Sequence, residues 1–282
     1  MISLTSIIIL FVSIITTALL IPIFHGVAIK GSLIKTNYKG EPIPFVGGMV
    51  LSTVTGITIG LGLGLRAFPA REGAILLFIL ITATILGLID DVLGKADSKG
   101  FTGHFKRLFK AGKLTTGSAK AIFGGLSAFV AGYAVAHDNI VIGALNGLLI
   151  ALMMNTINLL DLRPGRAGKG FIIGFLLLIL LARDRSSLPL FLPILSSLII
   201  YLPMDLSAMM MMGDTGSNLL GALLGLFAVL SLLPVIKVIL LVGLIWLMFF
   251  TERNSLTEVI QESPVLNFID KIGQTIEQKE MR

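Results

Sequence analysis

Nine apolar runs follow one another along this chain, at roughly residues 3–29, 44–65, 73–91, 118–136, 139–159, 170–182, 188–204, 217–233 and 236–250. A helix needs about 20 apolar residues to cross the hydrocarbon core of a bilayer, and in lipid every backbone polar group must be satisfied within the protein. These runs predict an all-α fold: a polytopic membrane helical bundle of about nine transmembrane helices. Composition agrees, since 55% of the residues are hydrophobic and 13% charged, against about 25% charged in soluble domains. The sixth run is short, and is expected to extend back to Gly165, to tilt or to be broken. Ile2 to Ile29 contains no Lys, Arg, Asp or Glu and has no basic segment before it, unlike a cleavable signal peptide.

Charge sets the expected orientation. Of the 22 Lys and Arg residues, 17 fall in one alternating set of loops and the tail, and 5 in the other set. The basic loops are expected on the cytoplasmic face, with the N-terminus outside and the C-terminus cytoplasmic. The net charge of +6 is therefore read as positive-inside topology and attraction to the lipid bilayer, with no nucleic acid partner. The chain has no cysteine, which excludes disulfides, thiolate metal sites and a thiol nucleophile. Residues 1–250 read as one transmembrane domain. Residues 251–282, divided by Pro264, read as a cytoplasmic amphipathic tail of short helices lying on the membrane surface or on the protein.

The carboxylates are the second constraint. An ionised Asp near the bilayer core costs roughly 2.5–3.5 kcal/mol, yet Asp90 and Asp91 end one apolar run, Asp161 follows another, and Asp214 opens a third. The assigned orientation puts all of them on the cytoplasmic face. Adjacent carboxylates such as Asp90 and Asp91 can bind a divalent cation, position a cationic side chain or raise each other's pKa. Asn155, Asn158 and Asp161, spaced i, i+3, i+6, form one helical stripe able to hold a sugar, a base or hydrated Mg2+, or to bond helix to helix. Gly213-Asp-Thr-Gly-Ser217 opens the eighth run. Free N–H groups and the helix dipole there favour an anion, with Asp214 either a metal ligand or a plain N-cap. Lys35 and Lys39 precede the second run, and Lys106 lies in a basic loop with Lys120 and His104. Each can bind phosphate or serve only as positive-inside charge.

In order, the segments KTNYKGEPIPFVGG, Gly87-Leu-Ile-Asp-Asp91, NTINLLD and MGDTGS resemble those of the polyprenyl-phosphate N-acetylhexosamine-1-phosphate transferases, a glycosyltransferase family of cell-wall and surface-glycan synthesis. The resemblance runs from about Lys30 to Phe250. It implies an enzyme in the bacterial plasma membrane, facing the cytoplasm, in which the phosphate of a polyprenyl phosphate attacks the β-phosphate of a UDP-sugar and UMP leaves. It implies Mg2+ held by Asp214, and Asp90 and Asp91 positioning or deprotonating the lipid phosphate. Asn158 and Asp161 would face the nucleotide-sugar, Asn155, Lys35, Lys39 and Lys106 are further substrate-binding candidates, and a homodimer is expected. Two segments depart from the pattern. Asp161-Leu-Arg-Pro-Gly-Arg166 replaces the family's Asp-Gly-x-Asp-Gly-Leu, so Arg163 and Arg166 become candidate anion binders for a different donor. Thr251-Glu-Arg-Asn-Ser255 has no histidine where the family carries a cluster. A non-catalytic relative that handles polyprenyl (pyro)phosphate is the alternative. An ion-coupled transporter is disfavoured by the lack of internal repeats and of polar motifs at the midplane.

Overall fold

The computed structural model describes residues 3–94 and 116–274. Its long helices are α1 (Leu4–Lys30), α2 (Gly47–Gly64), α3 (Ala70–Leu93), α4 (Thr116–Val135), α5 (Ile140–Leu160), α6 (Arg166–Leu181), α7 (Leu188–Leu206), α8 (Gly213–Ser231) and α9 (Pro234–Arg253). Two short helices follow, α10 (Leu256–Glu262) and α11 (Pro264–Lys271). The protein is an all-helical polytopic membrane bundle, and seven of the long helices are each long and apolar enough to cross a membrane. The sixth, α6, starts at Arg166 after Gly165, as the short sixth run allowed. Its 16 residues reach about 24 Å at 1.5 Å per residue, less than the roughly 30 Å hydrocarbon core.

Helix starts are set by side chains that accept otherwise unpaired N–H groups. The Asn139 carboxamide takes Val141 and Ile142, both at 3.1 Å, at the head of α5. Ser255 and Ser263 take Glu258 and Leu266 at the heads of α10 and α11.

Among the described residues the exception to the all-helical plan is a hairpin, β1 (Ile34–Thr36) and β2 (Pro42–Pro44), antiparallel with Ile34 opposite Pro44 and Thr36 opposite Pro42. Helical reasoning did not find it. Its turn is built by Asn37, whose side-chain oxygen accepts the N–H of Lys39 at 2.8 Å and of Glu41 at 3.0 Å, with Gly40 at φ +82°.

The centre of the bundle is α8, buried on all sides from Thr215 to Val229. Glycines let its neighbours approach: Gly221 and Gly225 lie against the backbone of Met153, Met154 and Ile150 on α5, as small residues do between membrane helices. Phe171, Phe175, Phe191 and Phe227 join α6, α7 and α8 in an aromatic cluster with centroids 4.7 to 6.4 Å apart. Hydroxyls attach α1 to α7: Ser13 donates to the carbonyl of Pro193 at 2.7 Å, and Thr17 to Ser197 at 2.9 Å. Outward faces are apolar (Phe11, Leu180, Val242 and Trp246 are all well exposed), which suits lipid contact and not water.

The described part of the tail, through α10 and α11, rests on the protein. Arg166 and Asp270, 4% and 2% exposed, form an ion pair at 2.9 Å, while Val265 and Phe268 on the same helix face outward.

Candidate active site at one end of the bundle

The ends of α3, α5 and α7 and the starts of α2, α4, α6 and α8 meet at one end of the molecule. They are joined there by contacts between side chains far apart in sequence. The hub is Asp91, whose side chain is 2% exposed. Its Oδ1 accepts the ammonium of Lys35 at 3.0 Å and the N–H of Asp214 at 3.0 Å. Its Oδ2 accepts the N–H of Thr215 at 2.9 Å and the Thr215 hydroxyl at 2.7 Å. A carboxylate from α3 thus caps α8, where charge and dipole favour it. This corrects two expectations at once. Asp214 is not the N-cap of α8, and the N–H groups of Asp214 and Thr215 are already committed to Asp91 instead of waiting for a phosphate.

The junction requires glycine. Gly213 has φ +70°, and a β-carbon there would lie 2.7 Å from Asp91 Oδ2. Gly87 abuts the backbone of Asp214 and Thr215, and Gly48 abuts Gly216. The N–H groups of Gly47 and Gly48 donate to the carbonyls of Met211 at 3.0 Å and Met212 at 2.9 Å. The Gly-Gly pair after the hairpin and the Gly-x-x-Gly of α8 are two halves of one crossing.

Asp90 points the other way. Lys120, at the start of α4, donates to Asp214 Oδ2 at 2.9 Å and to Asp90 Oδ2 at 3.4 Å, and the carboxyl groups of Asp90 and Asp214 are within hydrogen-bonding reach of one another. The adjacent aspartates therefore have different surroundings, as their 100° separation on a helix requires: Asp91 holds the framework and Asp90 faces Asp214. Lys120, first read as one basic loop residue among several, bridges the two. Its place near the start of the fourth apolar run was the available signal.

Beside this network opens a cavity of about 230 Å3, lined by Lys35, Asn37, Tyr38, Phe45, Asp91, Asp161, Arg163, Asp205, Gly213 and Asp214, among others. Arg163 lies 4.7 Å over the Tyr38 ring, joining the hairpin to the α5–α6 loop. Enclosure by protein raises the Asp161 carboxyl well above its ordinary value of 3.8, and the neighbouring Asp205, Asp214 and Asp91 carboxylates push the same way, with Lys120 opposing. Asp205 holds this loop in place by accepting the N–H of Gly165 at 3.0 Å. Sequence reading missed Asp205 because nothing in its neighbourhood marks it as other than the polar end of an apolar helix.

Of the other predicted residues, Asn158 turns to α8 and accepts the Ser217 hydroxyl at 2.7 Å, while half-buried Asn155 does not line the cavity. Lys39 stays at the hairpin tip, 6.0 Å from the Tyr38 ring centre. Arg166 is turned away from the cavity and pairs with Asp270. Lys106 and His104 lie outside the described residues.

Among the described residues no group of three His, Cys, Asp or Glu side chains could hold a metal ion. Two facing carboxylates, Asp90 and Asp214, do suit Mg2+, which is usually held by one or two carboxylates with water and substrate phosphate completing its shell.

No family model matches the chain. Phospho-N-acetylmuramoyl-pentapeptide-transferases of two Clostridium kluyveri strains are each 27% identical to it over 247 residues, covering 82% of this chain and 76% of theirs. That likeness supports a relationship to the transferases these two represent.

Proposed function

We propose that the protein is a membrane phosphoglycosyltransferase that moves a sugar-1-phosphate, such as an N-acetylhexosamine-1-phosphate, from a UDP-sugar to a polyprenyl phosphate and releases UMP. The observation that carries this reading is the Asp90–Lys120–Asp214 cluster beside a polar cavity at one end of a membrane bundle. The distant likeness to the two curated transferases supports it. The reaction would belong to cell-wall or surface-glycan synthesis, with the site facing the cytoplasm of a bacterial cell, in keeping with the loop charges.

In this reading Asp214, with Asp90 beside it, would hold Mg2+, which when bound would neutralise the charge of the donor pyrophosphate and of the leaving UMP. Lys120 and Lys35 attract the anionic groups of both substrates, and positioning does most of the remaining work. Asp91 keeps the start of α8 fixed, so that Asp214 is presented at a constant place. Asp90 orients the acceptor phosphate; that phosphate is already largely ionised near neutral pH, so a base is of secondary use. Asp161 and Arg163 face the donor. The apolar groove formed by Phe78, Thr82, Ile85 and Leu86 of α3 and Phe123, Leu126, Ser127 and Val130 of α4 lies between the two helices that also carry Asp90 and Lys120, and would take the prenyl chain.

The test is UMP release by purified protein given undecaprenyl phosphate, Mg2+ and a panel of UDP-N-acetylhexosamines, with Asp214→Asn as control. Metal-dependent release that the substitution abolishes supports the transferase. A second reading, a relative that binds polyprenyl (pyro)phosphate without turnover, draws on the Lys120 ammonium already bridging the two carboxylates. Lipid phosphate binding with no release from any donor would favour it.

A further inference from the structure

The α5–α6 loop, residues 161–165, supplies Asp161 and Arg163 to the cavity, and it is short enough that its course depends on what holds its far end. That end is Arg166, the first residue of α6. Its Nε and Nη2 donate to the two carboxylate oxygens of Asp270 at 3.0 and 2.9 Å, and its Nη1 to the Thr257 hydroxyl at 3.1 Å. One guanidinium therefore grips both α10 and α11. Such a bidentate fork fixes direction as well as distance.

One turn further along, Lys169 donates to the carbonyls of Ile269, Asp270 and Ile272 at 3.1, 2.5 and 3.3 Å. Carbonyls at a helix end lack partners within the helix. Leu206 packs against both Gly165 and Gly273, so that a β-carbon at either would collide with it. On the opposite side Asp205 holds the N–H of Gly165. The loop is thus clamped between the end of α7 and the C-terminal helices.

We propose that α10 and α11 are a positioning element for the cavity: through Arg166 and Asp270 they fix the α5–α6 loop, and with it the places of Asp161 and Arg163. Asp270 is a positioning residue, more than 100 positions along the chain from the loop it sets. The structural part of this proposal is independent of the reaction; its kinetic part rests on the transferase reading above.

Hydrogen exchange on the full-length protein in nanodiscs tests it. Asp270→Ala is expected to speed exchange of peptides covering 161–166 and 256–274 by roughly tenfold or more, with α8 unchanged, and Asp270→Glu to restore protection. A released tail beside a loop exchanging at the wild-type rate overturns the proposal. Should Asp270→Ala loosen α8 as well, the decision passes to Lys169→Met, which removes the carbonyl contacts without stranding a buried guanidinium; wild-type protection of the loop there overturns the proposal equally. With turnover established, Asp270→Ala and Lys169→Met are expected to raise KM for the nucleotide-sugar about fivefold with kcat within about twofold, and Asp270→Glu to keep both near the wild-type values. A fall in kcat alone counts against the assignment. Absence of turnover in the wild-type protein bears on the proposed function and leaves the exchange result standing.

Discussion

Asp91 accepts the backbone N–H of Thr215 at 2.9 Å and its hydroxyl at 2.7 Å, so a carboxylate at the end of α3 caps the helix that carries Asp214. The adjacent Asp90 makes no part of that cap and instead faces Lys120. Asp91→Asn keeps the shape but removes the charge from these bonds and from the Lys35 pair. Charge-assisted bonds contribute about 1.5–3 kcal/mol each. A fall in melting temperature in detergent is expected for Asp91→Asn, with little change for Asp90→Asn. Equal melting temperatures for the two variants would sink the division of roles.

Lys120 neutralises two carboxylates that otherwise face each other. In Lys120→Met that ammonium is gone and a divalent cation can approach both carboxylates; a ligand that binds only the folded state raises its stability. The thermal midpoint of Lys120→Met should therefore rise more steeply with millimolar Mg2+ than that of the wild type. Identical dependence in both would remove Asp90 and Asp214 as the cation site.

The Asp161 carboxyl is held well above 3.8 by enclosure and by the Asp205, Asp214 and Asp91 carboxylates. A raised folded-state value means that the native protein holds this proton more tightly than the unfolded chain does. Stability from this group is therefore complete below the ordinary value and is lost as pH rises through the raised one. In EDTA, Asp161→Asn should melt like the wild type in acid and above it near neutrality. A wild-type advantage at neutral pH contradicts this.

Gly213 combines φ +70° with a site where a β-carbon would crowd the Asp91 carboxylate at 2.7 Å. The left-handed conformation costs about 1–2 kcal/mol for other residues, and displacement of Asp91 adds to it. Gly213→Ala should lower the denaturation midpoint, while Gly243→Ala, in open space on α9, should leave it unchanged.

The chain has no cysteine, so single cysteines report topology cleanly. Gly40→Cys in the hairpin should react with an impermeant maleimide only from the cytoplasmic side, and Asp184→Cys, between α6 and α7, only from outside. Labelling of both from one side would overturn the charge-based orientation.

The helical bundle is legible in the residues alone, because apolar length is a local property and lipid leaves the backbone few alternatives. So is the grouping of Asp90, Asp91, Asp161 and Asp214, because alternating spans place the ends of α3 and α5 and the start of α8 together. What each polar group does there is set by packing in three dimensions. Asp90 and Asp91 are indistinguishable as letters, and a rotation of about 100° sends one to the cap of α8 and the other to Lys120. Arg163 and Arg166 are three residues apart and looked alike, yet one lies over Tyr38 and the other is buried on Asp270. Those outcomes depend on partners 30 to more than 100 positions away, and periodicity holds no information about which distant side chain will share a buried contact.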